Sequence, residues 1–299
     1  MACNRKKGII FLKEFTKLTK DEIENQYYLR GLRPNYQTEI VPNWIKKSKD
    51  YFEKVKPRFN LKYGKNERNV LDLYSVNNSK IFLLYIHGGY WQRGDKSVYS
   101  FLAEPYNNLN ISVAFVNYEM CPQVKFSNIK YQIQQAITYL WENADELDIN
   151  KQNFNLMGHS AGAHLTVEML MTDWNKINSF MPHKFINYSV AVSGIYDLIP
   201  LLQCSENERL KLNHKEALDE SPFYRTFDLK DNLLIAYGSK EPPDMQRQSI
   251  DLFKKFSSST NSISLLPIEN CDHFDTVDCI GDSNSKLFKK IMNNIVKTL

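Results

Sequence analysis

The chain has 299 residues, with 38 Lys+Arg against 34 Asp+Glu and a formal net charge of +4. Hydrophobic residues make up 42%, aromatics 13% and charged residues 24%, which excludes a disordered chain, a collagen and a coiled coil. Basic residues form no block beyond pairs such as Lys46-Lys47 and Lys289-Lys290, so no nucleic-acid partner is expected.

In chain order, the first 65 or so residues are polar and helix-like, and read as a flank or cap on a single domain spanning 1–299. Arg5, Lys6 and Lys7 precede the apolar Gly8-Ile9-Ile10-Phe11-Leu12. That stretch is too short for a signal peptide, Lys13 ends it, and no small-residue cleavage site follows. Strand-like apolar runs follow at 81–86, 113–118, 154–157, 188–192, 233–237 and 262–266. None is long enough to span a bilayer, so no membrane partner is expected. Helix-like segments lie between them. Ile129, Ile133, Ala136, Ile137 and Leu140 share one helical face, as do Phe288, Ile291, Ile295 and Leu299 near the end. Segments 163–171 and 245–256 are further helix candidates. Alternating strands and helices predict an α/β fold, a mostly parallel central sheet with helices on both faces.

The five cysteines, Cys3, Cys121, Cys204, Cys271 and Cys279, are odd in number and scattered. They form no disulfide framework and fit a cytoplasmic protein. Cys271, His273 and Cys279 invite a zinc reading, but there is no CxxC and no fourth ligand at a suitable spacing, so no metal is expected. No cofactor is expected either, because the chain has no P-loop and no Gly-x-Gly-x-x-Gly.

Three features carry chemistry. The first is Gly158-His159-Ser160-Ala161-Gly162, between a strand-like run and a helix-like run. An abrupt strand-to-helix turn exposes the Ser160 hydroxyl, and Gly158 and Gly162 let the backbone approach closely. The helix that follows aims its positive dipole end at the site, so the Ala161 amide is an oxyanion donor candidate. The second is His87-Gly88-Gly89-Tyr90-Trp91, directly after the run 81–86. Such a loop supplies further oxyanion amides, here from Gly88 and Gly89. His87 is read as holding that loop; Tyr90 and Trp91 are candidates for a substrate wall or for the core. The third is His273, late in the chain and before the final helix, where a Ser–acid–His order needs its general base. Phe274 beside it is a third wall candidate. His159 and His164 read as packing residues. The acid belongs in the turn after the run 233–237, which holds Glu241 and Asp244. Asp244 also reads as the N-cap of the next helix.

These features resemble the α/β-hydrolase fold and, more narrowly, the kynurenine formamidase (arylformamidase) family. The resemblance rests on His87 to Trp91 with Asp95-Lys96, on Val116-Asn117-Tyr118 with Cys121-Pro122, and on Gly158 to Leu165. It continues through Ser193 to Leu198, Ser221-Pro222, Arg247-Gln248-Ser249 and His273-Phe274. It implies a Ser160–Glu241–His273 triad, with Glu241 standing where the animal enzymes carry Asp, and a structural role for Asp197. It also implies cleavage of N-formyl-L-kynurenine to L-kynurenine and formate, in tryptophan degradation. The expected partner is a small aryl formamide or ester, and a homodimer is compatible with the sequence. A carboxylesterase of small acyl esters and a catalytically inactive binding fold are the alternatives.

Overall fold

The computed structural model describes residues 18–226, 232–257 and 262–298. The apolar run Gly8 to Leu12, Cys3 and Leu299 lie outside the described residues. Helices α1 (Lys20–Tyr27) and α2 (Val41–Val55) precede eight strands, β1 (Arg58–Lys62), β2 (Val70–Tyr74), β3 (Ile81–Ile86), β4 (Ile111–Val116), β5 (Phe154–His159), β6 (Ile186–Val192), β7 (Asn232–Gly238) and β8 (Ile263–Ile268). The longer helices between and after them are α3 (Phe126–Glu142), α4 (Ala161–Leu170), α5 (Pro243–Ser257), α6 (Asp275–Gly281) and α7 (Lys286–Ile295).

The strands form one sheet in the order β1-β2-β4-β3-β5-β6-β7-β8. β2 pairs antiparallel with β1 and with β4, and the other pairs are parallel. The central strands β3, β4 and β5 are buried along their whole length, as parallel strands covered on both faces require. The amphipathic faces read from the sequence are the buried ones: Ile129, Ile133, Ala136, Ile137 and Leu140 on α3, and Phe288, Ile291 and Ile295 on α7.

The structure corrects the reading of the N-terminal flank. That stretch ends in strand β1, and β2 follows it; neither was expected. β1 is largely exposed at the sheet edge and carries charged residues, so no apolar run marks it. In β2 the apolar run Val70-Leu71-Asp72-Leu73-Tyr74 is broken by an acid. Asp72 is nevertheless buried, because Lys96 reaches it at 2.7 Å and the Asn60 amide donates to it at 2.8 Å. The expected strand 113–118 is shifted to Ile111–Val116, leaving Asn117 and Tyr118 in the loop beyond it.

Register places the site. Ile86 pairs with Gly158, His159 with Val192, Val192 with Ala236, and Gly238 with Ile268. The loops leaving the C-terminal ends of β3, β5, β6, β7 and β8 therefore meet along one sheet edge, where open α/β sheets place their ligands.

The Lys96–Asp72 pair ties that edge to β2, and both side chains are almost fully buried. Burial pushes the Asp72 carboxyl up, while the Asn60 amide and the Lys96 ammonium oppose this. Removing one partner leaves an uncompensated buried charge, so Lys96→Met is expected to cost about 3–5 kcal/mol. Chemical denaturation measures it, and a loss below about 1 kcal/mol, the scale of an exposed pair, would contradict the assignment.

Candidate active site

The strand β5 runs straight into α4 with Ser160 at the turn, φ 57° and ψ −121°. That positive-φ conformation costs a residue with a Cβ about 1–3 kcal/mol. It is held from both sides: the Ser160 amide donates to the Val192 carbonyl at 2.9 Å, and the Ser160 carbonyl accepts from Ala163 at 2.9 Å and His164 at 3.2 Å. A Cβ on Gly162 would lie 1.9 Å from the Ile86 carbonyl oxygen, so only glycine lets α4 pass this close to β3.

The loop after β3 comes equally close. A Cβ on Gly88 would stand 2.9 Å from the Ser160 Cβ and 2.8 Å from the His159 carbonyl oxygen. The motifs downstream anchor this loop. Tyr118 Oη donates to the His87 carbonyl at 2.9 Å, Arg68 to the Gly94 carbonyl at 2.9 Å, and the Cys121 amide to the Trp91 carbonyl at 2.8 Å. Asn117 bridges Asp95 and the Lys96 amide, each at 2.7 Å. Among the described residues, the amides of Gly88, Gly89 and Ala161 have no backbone partner. They are the three amides that the sequence offers as oxyanion donors. His87 is structural as expected: it stacks on Tyr118, and burial lowers its pKa to about 4.

Of the two acids considered, Glu241 meets the histidine. His273 Nδ1 donates to Glu241 Oε1 at 2.9 Å, with both side chains buried. Backbone bonds hold the two loops together: Ser239 N to the Ile268 carbonyl and Lys240 N to the Cys271 carbonyl, each at 2.9 Å. The His273 carbonyl accepts from Thr276 at 2.8 Å and from His159 Nε2 at 2.9 Å. Burial, reinforced by the neighbouring His273, holds the His159 pKa well below its usual value, so His159 stays neutral.

Asp244 is not the N-cap of α5 but its second residue. Its carboxylate accepts from Tyr27 Oη and from Arg247, which also pairs with Asp251 at 3.3 Å and Asp197 at 3.6 Å. Asp197 is structural as expected, capping the Ile199 amide at 3.1 Å. Among the described residues no group of three or more His, Cys, Asp or Glu is arranged to hold a metal.

Ser160 and His273 line one narrow cavity of about 40 Å³, with Gly89, Tyr90, His159 and Phe274. Tyr90 and Phe274 are thus wall residues, but Trp91 is not. It is fully buried in the core, edge-on to Phe126 and His164. Tyr90 and Trp91 both have positive φ, 52° and 54°, and only Tyr90 faces the cavity. Sequence reasoning missed Leu29, Arg30, Tyr36 and Trp44 from the N-terminal segment, and Arg93 and Tyr99. Tyr36 stacks on Phe274 with ring centroids 4.1 Å apart. Only Arg93, four residues beyond Gly89, lay close enough to a motif to be found.

The BD-FAE family model matches residues 71–246, more than half of the chain. The chain belongs to the BD-FAE family. It is also similar to the kynurenine formamidase of Salmo salar, 27% identical over 94% of this chain and 98% of that protein. To that of Danio rerio it is 28% identical over 96% of this chain and 100% of that protein. Among solved structures it resembles a Silicibacter sp. TM1040 protein that carries a thioesterase name. The match is 28% identical, with a TM-score of 0.79, and covers 91% of this chain and 99% of that one. The resemblance read from the motifs is therefore borne out, and the sheet of this BD-FAE member is that of an α/β-hydrolase.

The arrangement has the parts of an acyl-transfer site: a hydroxyl on a strained turn, unpaired amides beside it, and a carboxylate-oriented imidazole. Glu241→Gln is expected to lower kcat by about 10⁴. Asp244→Asn loosens the Tyr27–Arg247 network and should instead cost about 1–3 kcal/mol of stability. Parallel measurement of kcat and Tm checks both, and the reverse pattern would transfer the acid's role to Asp244.

Proposed function

We propose that this protein is a serine hydrolase that cleaves N-formyl-L-kynurenine to L-kynurenine and formate. The observation that carries the reading is the buried His273–Glu241 bond beside Ser160, in one cavity with the glycine loop. The near-full-length similarity to two fish kynurenine formamidases supports the substrate.

In this reading Ser160 Oγ attacks the formyl carbon and His273 takes its proton. The developing oxyanion lies against the amides of Gly88, Gly89 and Ala161. The C–N bond breaks as His273 returns that proton to the departing arylamine. An anilide leaves more easily than an alkyl amide because its amine is less basic, which suits a triad. Water then gives a proton to His273 and attacks the formyl-enzyme, releasing formate and restoring Ser160. Glu241 keeps the His273 ring in the required tautomer and stabilises its charged form.

The dimensions suit a small acyl group. A cavity of about 40 Å³ has room for roughly three water-sized groups, enough for a formyl or acetyl group. The aryl leaving group then lies at the mouth, along the stacked Tyr36 and Phe274. The reading keeps the protein in the cytoplasm, which the scattered cysteines support.

The test is kcat/KM for N-formyl-L-kynurenine beside p-nitrophenyl acetate, for the wild type and Ser160→Ala. The formamide should be preferred, and Ser160→Ala should lose about 10⁶ in kcat. A clear preference for the ester would replace the formamidase reading with that of a small-ester carboxylesterase. Activity retained in Ser160→Ala above a few per cent would remove Ser160 as nucleophile.

A further inference from the structure

The cavity wall carries two guanidinium groups, Arg30 and Arg93, and no carboxylate. They come from different parts of the chain: Arg30 from the turn after α1, Arg93 from the loop after β3. A third segment, following β6, supplies Glu206 behind them. Arg93 grips Glu206 with two bonds, 3.0 Å to Oε1 and 2.9 Å to Oε2. This is the fork geometry of a bidentate guanidinium–carboxylate pair, and Arg93 Nη2 also donates to Gln92 Oε1 at 3.4 Å. Gln92 fixes the same segment by donating to the Glu206 carbonyl at 2.7 Å. Glu206 is 6% exposed, so this support is built into the fold.

Arg30 is differently placed. Its one contact to Glu206 is long, 3.5 Å through Nη2, and 34% of its side chain is exposed. Its remaining donors have no partner among the described residues. Glu24, the acid of α1 closest to Arg30 in sequence, is occupied by the Ser205 amide at 2.7 Å and by the Ser205 hydroxyl. The two guanidiniums are the charged groups of the lining itself, beside the stacked Tyr36 and Phe274 rings, with Glu206 and Glu24 behind them. Both arginines act on the Tyr36 hydroxyl: burial raises its pKa, and Arg30 and Arg93 oppose that rise.

We propose that Arg30, backed by the fixed Arg93–Glu206 pair, is a specificity-determining residue that binds a carboxylate on the leaving group of an aryl substrate. The inference rests on the hydrolase reading of Ser160 and narrows its substrates to aryl amides or esters whose departing half is anionic. The aromatic rings hold the aryl portion, and Arg30 selects the charge beyond it. Free Arg30 donors suit a planar carboxylate, whereas Arg93 serves to hold Glu206 and keep the Arg30 guanidinium from being neutralised by a closer grip.

The experiment compares N-formyl-L-kynurenine with its carboxyl methyl ester on the wild type, Arg30→Met and Arg30→Lys, with phenyl acetate as a measure of hydrolase activity. The readout is the ratio of kcat/KM for the free acid to that for the methyl ester. A hydrogen bond to a charged group has the magnitude to lower this ratio roughly 10- to 100-fold in Arg30→Met. Arg30→Lys should recover part of it. An unchanged ratio in Arg30→Met overturns the inference. Should the wild type cleave phenyl acetate but neither formamide, the formamidase reading fails separately. The pair 2-carboxyphenyl acetate and phenyl acetate then replaces the formamides, and the same fall or constancy of the ratio decides the role of Arg30.

Discussion

Ser160 is held in a backbone conformation that its own side chain disfavours, and the rest of the site is arranged around that constraint. The turn survives because Val192 takes its amide, α4 takes its carbonyl, and neighbouring chain segments pass too close for any residue but glycine. The same closeness has a chemical consequence. Packing Gly88 against Ser160 brings the loop after β3 within reach of whatever the hydroxyl attacks. The strain that fixes the Ser160 turn and the crowding that brings the unpaired amides of the glycine loop beside it are therefore one feature of the fold.

The N-terminal segment completes the site rather than merely flanking it. Arg33 pairs with Asp272 and Asp275, on either side of His273. Trp44 Nε1 donates to Asp278 at 3.2 Å. Tyr27 Oη donates to Asp244 in the acid-bearing region, and the Tyr27 carbonyl accepts from Tyr90 Oη at 2.7 Å. One short stretch of chain thus touches the histidine loop, the acid turn and the glycine loop. Its packing narrows the cavity and supplies the aromatic and cationic parts of the wall.

The sequence disclosed the elements whose signal is local. The strand–turn–helix around Ser160, the glycine loop and the histidine before the final helix each occupy a few consecutive residues, and their meeting follows from strand register. Glu241 was legible as one of two acids in a short turn, and it is the one that meets His273. What stayed hidden depends on contacts between distant residues. β2 was masked by Asp72, an acid whose burial makes sense only with Lys96 in place. Arg30, Tyr36 and Trp44 carry no motif, and their place in the wall depends on how the flank folds back over the sheet edge. Trp91 shows the converse error. Adjacency to Tyr90 implied a shared wall, but two successive left-handed residues leave one ring at the cavity and the other in the core.

The central claim is that Ser160 is the nucleophile of a hydrolase active on an aryl formamide. Peptide mapping after reaction of the folded protein with a fluorophosphonate tests it most directly. The account predicts one covalent adduct, on Ser160, accumulating in step with loss of N-formyl-L-kynurenine hydrolysis. Complete loss of that hydrolysis with Ser160 unmodified, or full modification of Ser160 with activity intact, would contradict it.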